Sequence, residues 1–188
     1  MGAIGLDSHV LLQGVGINKT RSGIIKILEM MNAKIKISNI RMCGSEAVAD
    51  ITVASSDLRG IEVPLDSVAA AIDEFPAIFI AAACAKGTTI LRGATELRHK
   101  ESDRIDVMAS GLRKLGVYLE TYEDGIKIVG GQLGCGTIDA QGDHRVAMAF
   151  SIAALKASGE IVISNAEGIA TSFPEFVSIA KSIGLKVE

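Results

Sequence analysis

The amino-acid sequence predicts an α/β domain assembled from a repeated unit around one shared core, and three observations carry that reading. A cassette of strand, loop, helix and strand recurs at residues 9–37, 88–120 and 160–188. Two further segments, "DEFPAIFIAAACA" (73–85) and "DHRVAMAFSIAALKA" (143–157), are apolar on nearly every face, the pattern of helices buried inside a fold rather than laid on it. Only 4% of residues are aromatic and Trp is absent, whereas Ala, Ile, Val and Gly abound, which suits close packing of helices on sheets.

Each cassette opens on a strand, "HVLLQGVG", "TTIL" or "EIVIS", and passes through a polar loop into an amphipathic helix. The helix leaves through a small residue, Ala33, Gly116 or Gly184, directly into alternating apolar positions, as a helix C-terminus feeding a half-buried strand requires. A buried helix precedes the second and third cassettes and ends at "KG" or "SG"; the first cassette has none before it, so the first repeat is expected to be truncated. No linker or low-complexity tract divides the chain, and residues 1–188 are expected to form one body.

Composition excludes several function classes. At 188 residues the chain can bury roughly 70% of its unfolded surface without a disulfide or metal staple. The mean hydropathy is positive, yet the longest apolar run, Ala77 to Ala85, is far too short to span a bilayer, so no membrane role is expected. A net charge of -3 and few aromatic side chains argue against nucleic acid as a partner. Cys43, Cys84 and Cys135 are odd in number and widely spaced, which fits neither a disulfide framework nor a zinc site, and the start "MGAIGLDSH" lacks signal-peptide character. A cytoplasmic location is the expectation. Signatures of metalloproteases, serine hydrolases and P-loop NTPases are absent, and "GVGINKTRSG" is too loose for a dinucleotide fingerprint.

The chemistry concentrates where helices begin. Apolar spacing at Ile105, Met108, Leu112 and Leu115 predicts a helix from Glu101 to about Leu115, with Lys100, Glu101 and Arg104 on one face of its first turn. Taken alone, that group is a solvated ion pair contributing a few tenths of a kcal/mol. The pattern recurs, however. "GDHRVAM" puts Asp143 at a natural N-cap with His144 and Arg145 in the first turn, and "INKTRSG" places Lys19 and Arg21 before the first surface helix. Cations are disfavoured at the positive end of a helix unless an anion sits among them, so these helix starts point to a small, multiply charged anion. Asp73 opens the buried helix as an expected N-cap, with Pro76 in its first turn. Facing the same pocket, it would be a carboxylate among cations, able to accept a proton from a substrate hydroxyl. "TSFPEF" is expected to form a capping box between Ser172 and Glu175.

In this spacing, "IDEFP" (72–76), "LRHKESDRI" (97–105), "GDHRVAMAF" (142–150) and "IATSFPEF" (169–176) resemble the 3-phosphoshikimate 1-carboxyvinyltransferase (EPSP synthase) family along essentially the whole chain. The resemblance is to that family's C-terminal part, and "ATSFPEF" is similar to the class associated with glyphosate tolerance. It implies an inside-out, barrel-like α/β domain of βαβαββ units with parallel helices buried and sheets facing solvent. The implied reaction moves the enolpyruvyl group of phosphoenolpyruvate to the 5-hydroxyl of shikimate 3-phosphate through a tetrahedral intermediate, releasing phosphate with no cofactor and no metal.

By motif, Asp73 would accept the hydroxyl proton, Glu101 would exchange a proton with the phosphoenolpyruvate methylene carbon, Lys100 would bridge the substrates, and Arg104 and Arg145 would hold carboxylate and phosphate. Two positions depart from the pattern. Thr171 stands where many relatives carry a phosphate-binding Lys, and Glu96 where many carry an Asn that contacts shikimate. The family places its cleft between two domains, so the resemblance implies that the N-terminal domain is a required partner and that this chain alone has weak anion affinity and no turnover. The alternatives are a UDP-N-acetylglucosamine enolpyruvyltransferase, which shares fold and donor, and a non-catalytic binding or folding module.

Overall fold

The repeat is realised as helices packed together with sheets around them. The structure, a computed structural model, describes residues 1–187. In the first unit, strand β1 (His9–Gly16), helix α1 (Gly23–Met30), strand β2 (Lys34–Cys43) and strand β3 (Glu46–Ala54) form a sheet in the order β1-β3-β2, with both flanking strands antiparallel to β3. Helix α1 crosses over between the two flanking strands, and β3 then returns between them.

The second unit repeats this and adds its front half. Residues Leu58 to Val63 run parallel beside strand β4 (Thr88–Leu91) through the Arg59–Lys86 and Glu62–Ile90 bridges. Between them come the short helix α2 (Leu65–Val68) and the buried helix α3 (Phe75–Ala83); after β4 come helix α4 (Arg104–Lys114) and strands β5 (Tyr118–Tyr122) and β6 (Gly125–Val129), in the sheet order β4-β6-β5. The third unit pairs strand β7 (Gly136–Asp139) with strand β8 (Ile161–Ser164) in parallel through helix α5 (His144–Ala153), followed by helices α6 (Gly168–Ser172) and α7 (Phe176–Ser182).

Helix α3 buries every residue except Ala77, which is why its sequence carries no polar face. It packs against α4 and α5, and these three supply Phe75, Phe79, Met108, Leu112, Phe150 and their neighbours to the core. The flanking strands β1 and β2 of the first sheet, by contrast, are mostly exposed.

Four expectations need correction. Helix α4 begins at Arg104, because the Asp103 carboxylate accepts from the Asp106 amide at 3.0 Å and caps it there; Lys100 is extended, and Lys100 and Glu101 precede the helix. Helix α3 begins at Phe75 after Glu74, so Asp73 lies before the helix and does not cap it. The box between Ser172 and Glu175 does not form. Pro174 disfavours helical geometry at Phe173, which lies outside the helical region at φ -147° and ψ 76°, so Ser172 ends α6 and Glu175 precedes α7 without a side-chain cap. Residues Leu185 to Val187 form no strand, and Glu188 lies outside the described residues. The expected cap at Asp143 does form, its carboxylate accepting from the Arg145 and Val146 amides at 2.9 and 3.4 Å.

The cysteines are free thiols; Cys43 and Cys135 are exposed, and burial pushes the half-buried Cys84 up to about 11. Among the described residues no helix is long and apolar enough to cross a membrane, and no group of three or more His, Cys, Asp or Glu is placed to hold a metal ion.

Candidate active site

The starts of α3, α4 and α5 converge, and charged side chains from each meet around Asp73. Its Oδ1 lies 3.4 Å from Lys100 Nζ and 3.5 Å from Arg104 Nη1; its Oδ2 lies 3.8 Å from both Arg145 Nη2 and Arg21 Nη2. Arg145 also donates through Nη1 to the Asp73 carbonyl oxygen at 3.0 Å, fixing the chain just before α3 to the start of α5. Burial by itself would raise the Asp73 carboxyl, but the charges of Arg145, Lys100 and Arg104 outweigh it and hold the group below the usual carboxylate value.

Arg104 is the centre of the arrangement. Its side chain is only 1% exposed, and three carboxylates surround it: Asp143 accepts from Nε at 2.8 Å, Glu101 from Nη2 at 2.5 Å, and Asp73 faces Nη1. Nη1 is nevertheless buried without a hydrogen-bond partner. A buried guanidinium nitrogen left unpaired is costly, so an acceptor there is favoured.

Glu101 is half exposed beside Arg104, free to meet a ligand while its other side touches a fixed cation. Lys100 is held between Asp73 and Glu96, the latter at 2.5 Å; the hydrogen bond from Lys100 to Glu96 is the main reason its ammonium is raised above the usual lysine value. Glu74 sits 3.8 Å from Arg145, and burial, with the Asp73 charge adding to it, raises its carboxyl above the ordinary range despite that arginine.

Five of the residues singled out from sequence are therefore brought together: Asp73, Lys100, Glu101, Arg104 and Arg145. Thr171 is not. It is exposed on α6, which starts where Gly168 packs on Gly142 and His144, and its hydroxyl makes no hydrogen bond among the described residues.

Arg21, singled out with Lys19 as a basic helix start, reaches Asp73 from the first unit. Sequence reasoning missed two members. Asp143 was read as a cap, yet its second oxygen accepts from Arg104 Nε and Ser102 Oγ, the latter at 3.1 Å. Glu74 had no assignment. The available signal was charge bookkeeping: a completely apolar helix preceded by two acids invites cationic partners from elsewhere.

The carboxylates at this locus, Asp73, Glu74, Glu96, Glu101 and Asp143, outnumber its cations, Arg21, Lys100, Arg104 and Arg145. The chain thus offers fixed guanidinium groups and two differently placed carboxylates, but no surplus of positive charge with which to hold a multiply charged anion unaided.

Comparison with known proteins agrees in extent and in kind. A family model described as EPSP synthase (3-phosphoshikimate 1-carboxyvinyltransferase) matches residues 1–179. A 3-phosphoshikimate 1-carboxyvinyltransferase of Legionella pneumophila (strain Lens) is 53% identical over 182 residues, covering 97% of this chain and 42% of the relative. One of Nitrosococcus oceani is 54% identical over 185 residues, covering 98% and 42%. An EPSP synthase structure from Acinetobacter baumannii superposes with a TM-score of 0.95 at 49% identity, covering 98% of this chain and 43% of that one. The enolpyruvyl transferase NikO from Streptomyces tendae, at 21% identity and a TM-score of 0.76, shares the fold. The chain spans less than half the length of these relatives, over a stretch that contains every converging residue described above. With that match the mixed α/β fold has its place: the chain belongs to the EPSP synthase (3-phosphoshikimate 1-carboxyvinyltransferase) family.

Proposed function

We propose that residues 1–188 are the C-terminal domain of such an enzyme and carry one half of its active site, completed by an N-terminal domain. The reaction moves the enolpyruvyl group of phosphoenolpyruvate to the 5-hydroxyl of shikimate 3-phosphate. The observation that carries the reading is the buried Arg104 guanidinium, its Nη1 unpartnered and facing Asp73 at 3.5 Å. An anionic substrate group that displaces or joins Asp73 would satisfy that nitrogen.

In this mechanism Glu101 delivers a proton to the methylene carbon of phosphoenolpyruvate, and Asp73 takes the proton of the attacking hydroxyl, which its neighbouring cations keep it deprotonated to do. The tetrahedral adduct then loses phosphate as Glu101 takes a methyl proton back. The proton on Asp73 leaves with the phosphate, so the reaction balances without a cofactor. Arg104 and Arg145 hold carboxylate and phosphate, and Lys100 bridges the two substrates, so that charge developing in the transition state meets groups already in place. Thr171, which stays exposed on α6 apart from these groups, has no part in the mechanism. Glyphosate, an anion of similar charge, would be directed to the same locus but held weakly, in keeping with the tolerance-associated class that "ATSFPEF" is similar to, and the work is cytoplasmic.

The test is phosphate release from the two substrates. The chain alone is expected to give none, and addition of the N-terminal half is expected to restore it; Arg104→Ala or Asp73→Ala then abolishes the restored rate. Turnover by the chain alone, or restored turnover that survives Arg104→Ala, overturns the reading. Preference for a UDP-sugar acceptor over shikimate 3-phosphate replaces it with the sugar-nucleotide alternative.

A further inference from the structure

We propose that Arg98 is a positioning residue for the reaction, holding in place the short segment that carries Lys100 and Glu101; the inference rests on the function proposed above. Those two side chains occupy a stretch without regular structure, between a 3-10 turn at Thr95–His99 and the Asp103 cap of α4. Among the described residues no backbone hydrogen bond to another element holds Glu101 or Ser102. The side chains of Lys100, Glu101 and Ser102 are held by Asp73 and Glu96, by Arg104 and by Asp143 respectively, but something must still anchor the backbone that carries them.

The Arg98 guanidinium does so from both ends. Its Nη1 lies 2.7 Å from Asp103 Oδ2, just after the segment, and 3.2 Å from Asp106 Oδ1. Its Nε and Nη2 donate to the carbonyl oxygens of Glu123 and Tyr122 at 2.7 and 2.6 Å, in the turn between β5 and β6 and at the end of β5. That turn is itself anchored. The Asp124 carboxylate accepts from Arg92 Nε and from the Gly93 amide, and the Ala94 amide donates to the Asp124 carbonyl oxygen. One planar fork therefore ties the chain before His99, the cap after Ser102 and a rigid hairpin turn to one another. A lysine, a single-point donor on a flexible stem, cannot reproduce the geometry.

Misplacing an acid or base by about 1 Å costs about 10²-fold in rate even when its own chemistry is intact. With the N-terminal half present, Arg98→Ala and Arg98→Lys are expected to lower kcat by about that factor while moving KM for shikimate 3-phosphate far less. Low millimolar guanidinium is expected to restore part of the Arg98→Ala rate. Arg92→Ala is the control, because it loosens the same hairpin turn without touching the segment; it is expected to lower stability while leaving kcat near wild type.

A second readout needs no turnover. In the chain alone, hydrogen exchange at the Asp106 and Val107 amides, which bond to the Asp103 carboxylate and carbonyl that Arg98 holds in place, is expected to rise in Arg98→Ala and not in Arg92→Ala. A wild-type kcat in Arg98→Ala, or unchanged exchange at Asp106 and Val107, overturns the positioning role. Failure of the wild-type halves to turn over at all sinks the proposed function instead, and the exchange result then decides on Arg98 by itself.

Discussion

The Asp143 carboxylate serves two helices at once, and that makes it the most consequential single side chain in the cluster. One oxygen caps α5 through the Arg145 and Val146 amides, while the other accepts from Arg104 Nε and Ser102 Oγ, and the residue has no solvent exposure. Removing one partner of a buried ion pair leaves the other charge uncompensated, so Asp143→Ala should cost about 3–5 kcal/mol in urea unfolding, and Asp143→Asn, which keeps a cap acceptor, less. Burial pushes this carboxyl up, but the hydrogen bond and charge of Arg104 outweigh it, so the folded value lies below the ordinary one. As pH falls below about 4, the unfolded chain therefore takes up the proton first, and the stabilisation present above that point is lost as pH drops toward the folded value. Asp73 is shifted in the same direction, and Glu74, raised by burial, works against both. The acid limb of stability against pH should flatten in Asp143→Asn; an unchanged limb would remove Asp143 from this account.

The helix crossing of α4 on α5 sets how Arg104 and Arg145 face one another, and it depends on Gly111. A Cβ added there would lie 2.3 Å from Cζ of Phe150, a ring with no exposure. Helix propensity favours alanine by about 1 kcal/mol, but overpacking a closed core costs about 1–3 kcal/mol, so Gly111→Ala should destabilise on balance. Adding Phe150→Leu should recover part of the loss; independent, additive costs would show that the two positions do not share a contact. The elements were legible in sequence to differing degrees for the same kind of reason. Helices α3 and α5 announced themselves because burial on all sides leaves only apolar residues. The start of α4 was displaced by three residues because Asp103, the true cap, looks like any other acid in a run of charges. Asp73 and Arg145 were both named from local motifs, but their meeting depends on packing across 72 positions. The second role of Asp143 went unseen because no periodicity encodes a contact between repeats.

Across the whole molecule, the three units share their core unequally. The second and third contribute α3, α4 and α5, whereas the sheet of the first buries only Ala49 and Ile51 among all the residues of its three strands. That sheet is docked through α1, where Ile27 is fully buried, with Met31 equally so just beyond the helix, and where a Cβ on Gly23 would come within 2.7 Å of the Ala70 backbone. Few buried apolar groups mean a small cost of local opening, so β1 and β2 amides should exchange through sub-global openings of lower free energy, while α3 and α5 amides exchange only on global unfolding. Native-state hydrogen exchange against denaturant separates the two classes. Gly23→Ala should then widen the gap, because forcing α1 off the Ala70 backbone weakens the attachment of the first sheet and leaves the α3–α5 packing in place. Because Arg21 lies just before the N-cap Ser22 of α1, the same variant should also loosen its approach to Asp73. Equal protection of β2 and α3 would mean that the first unit is bound into the core by something other than α1.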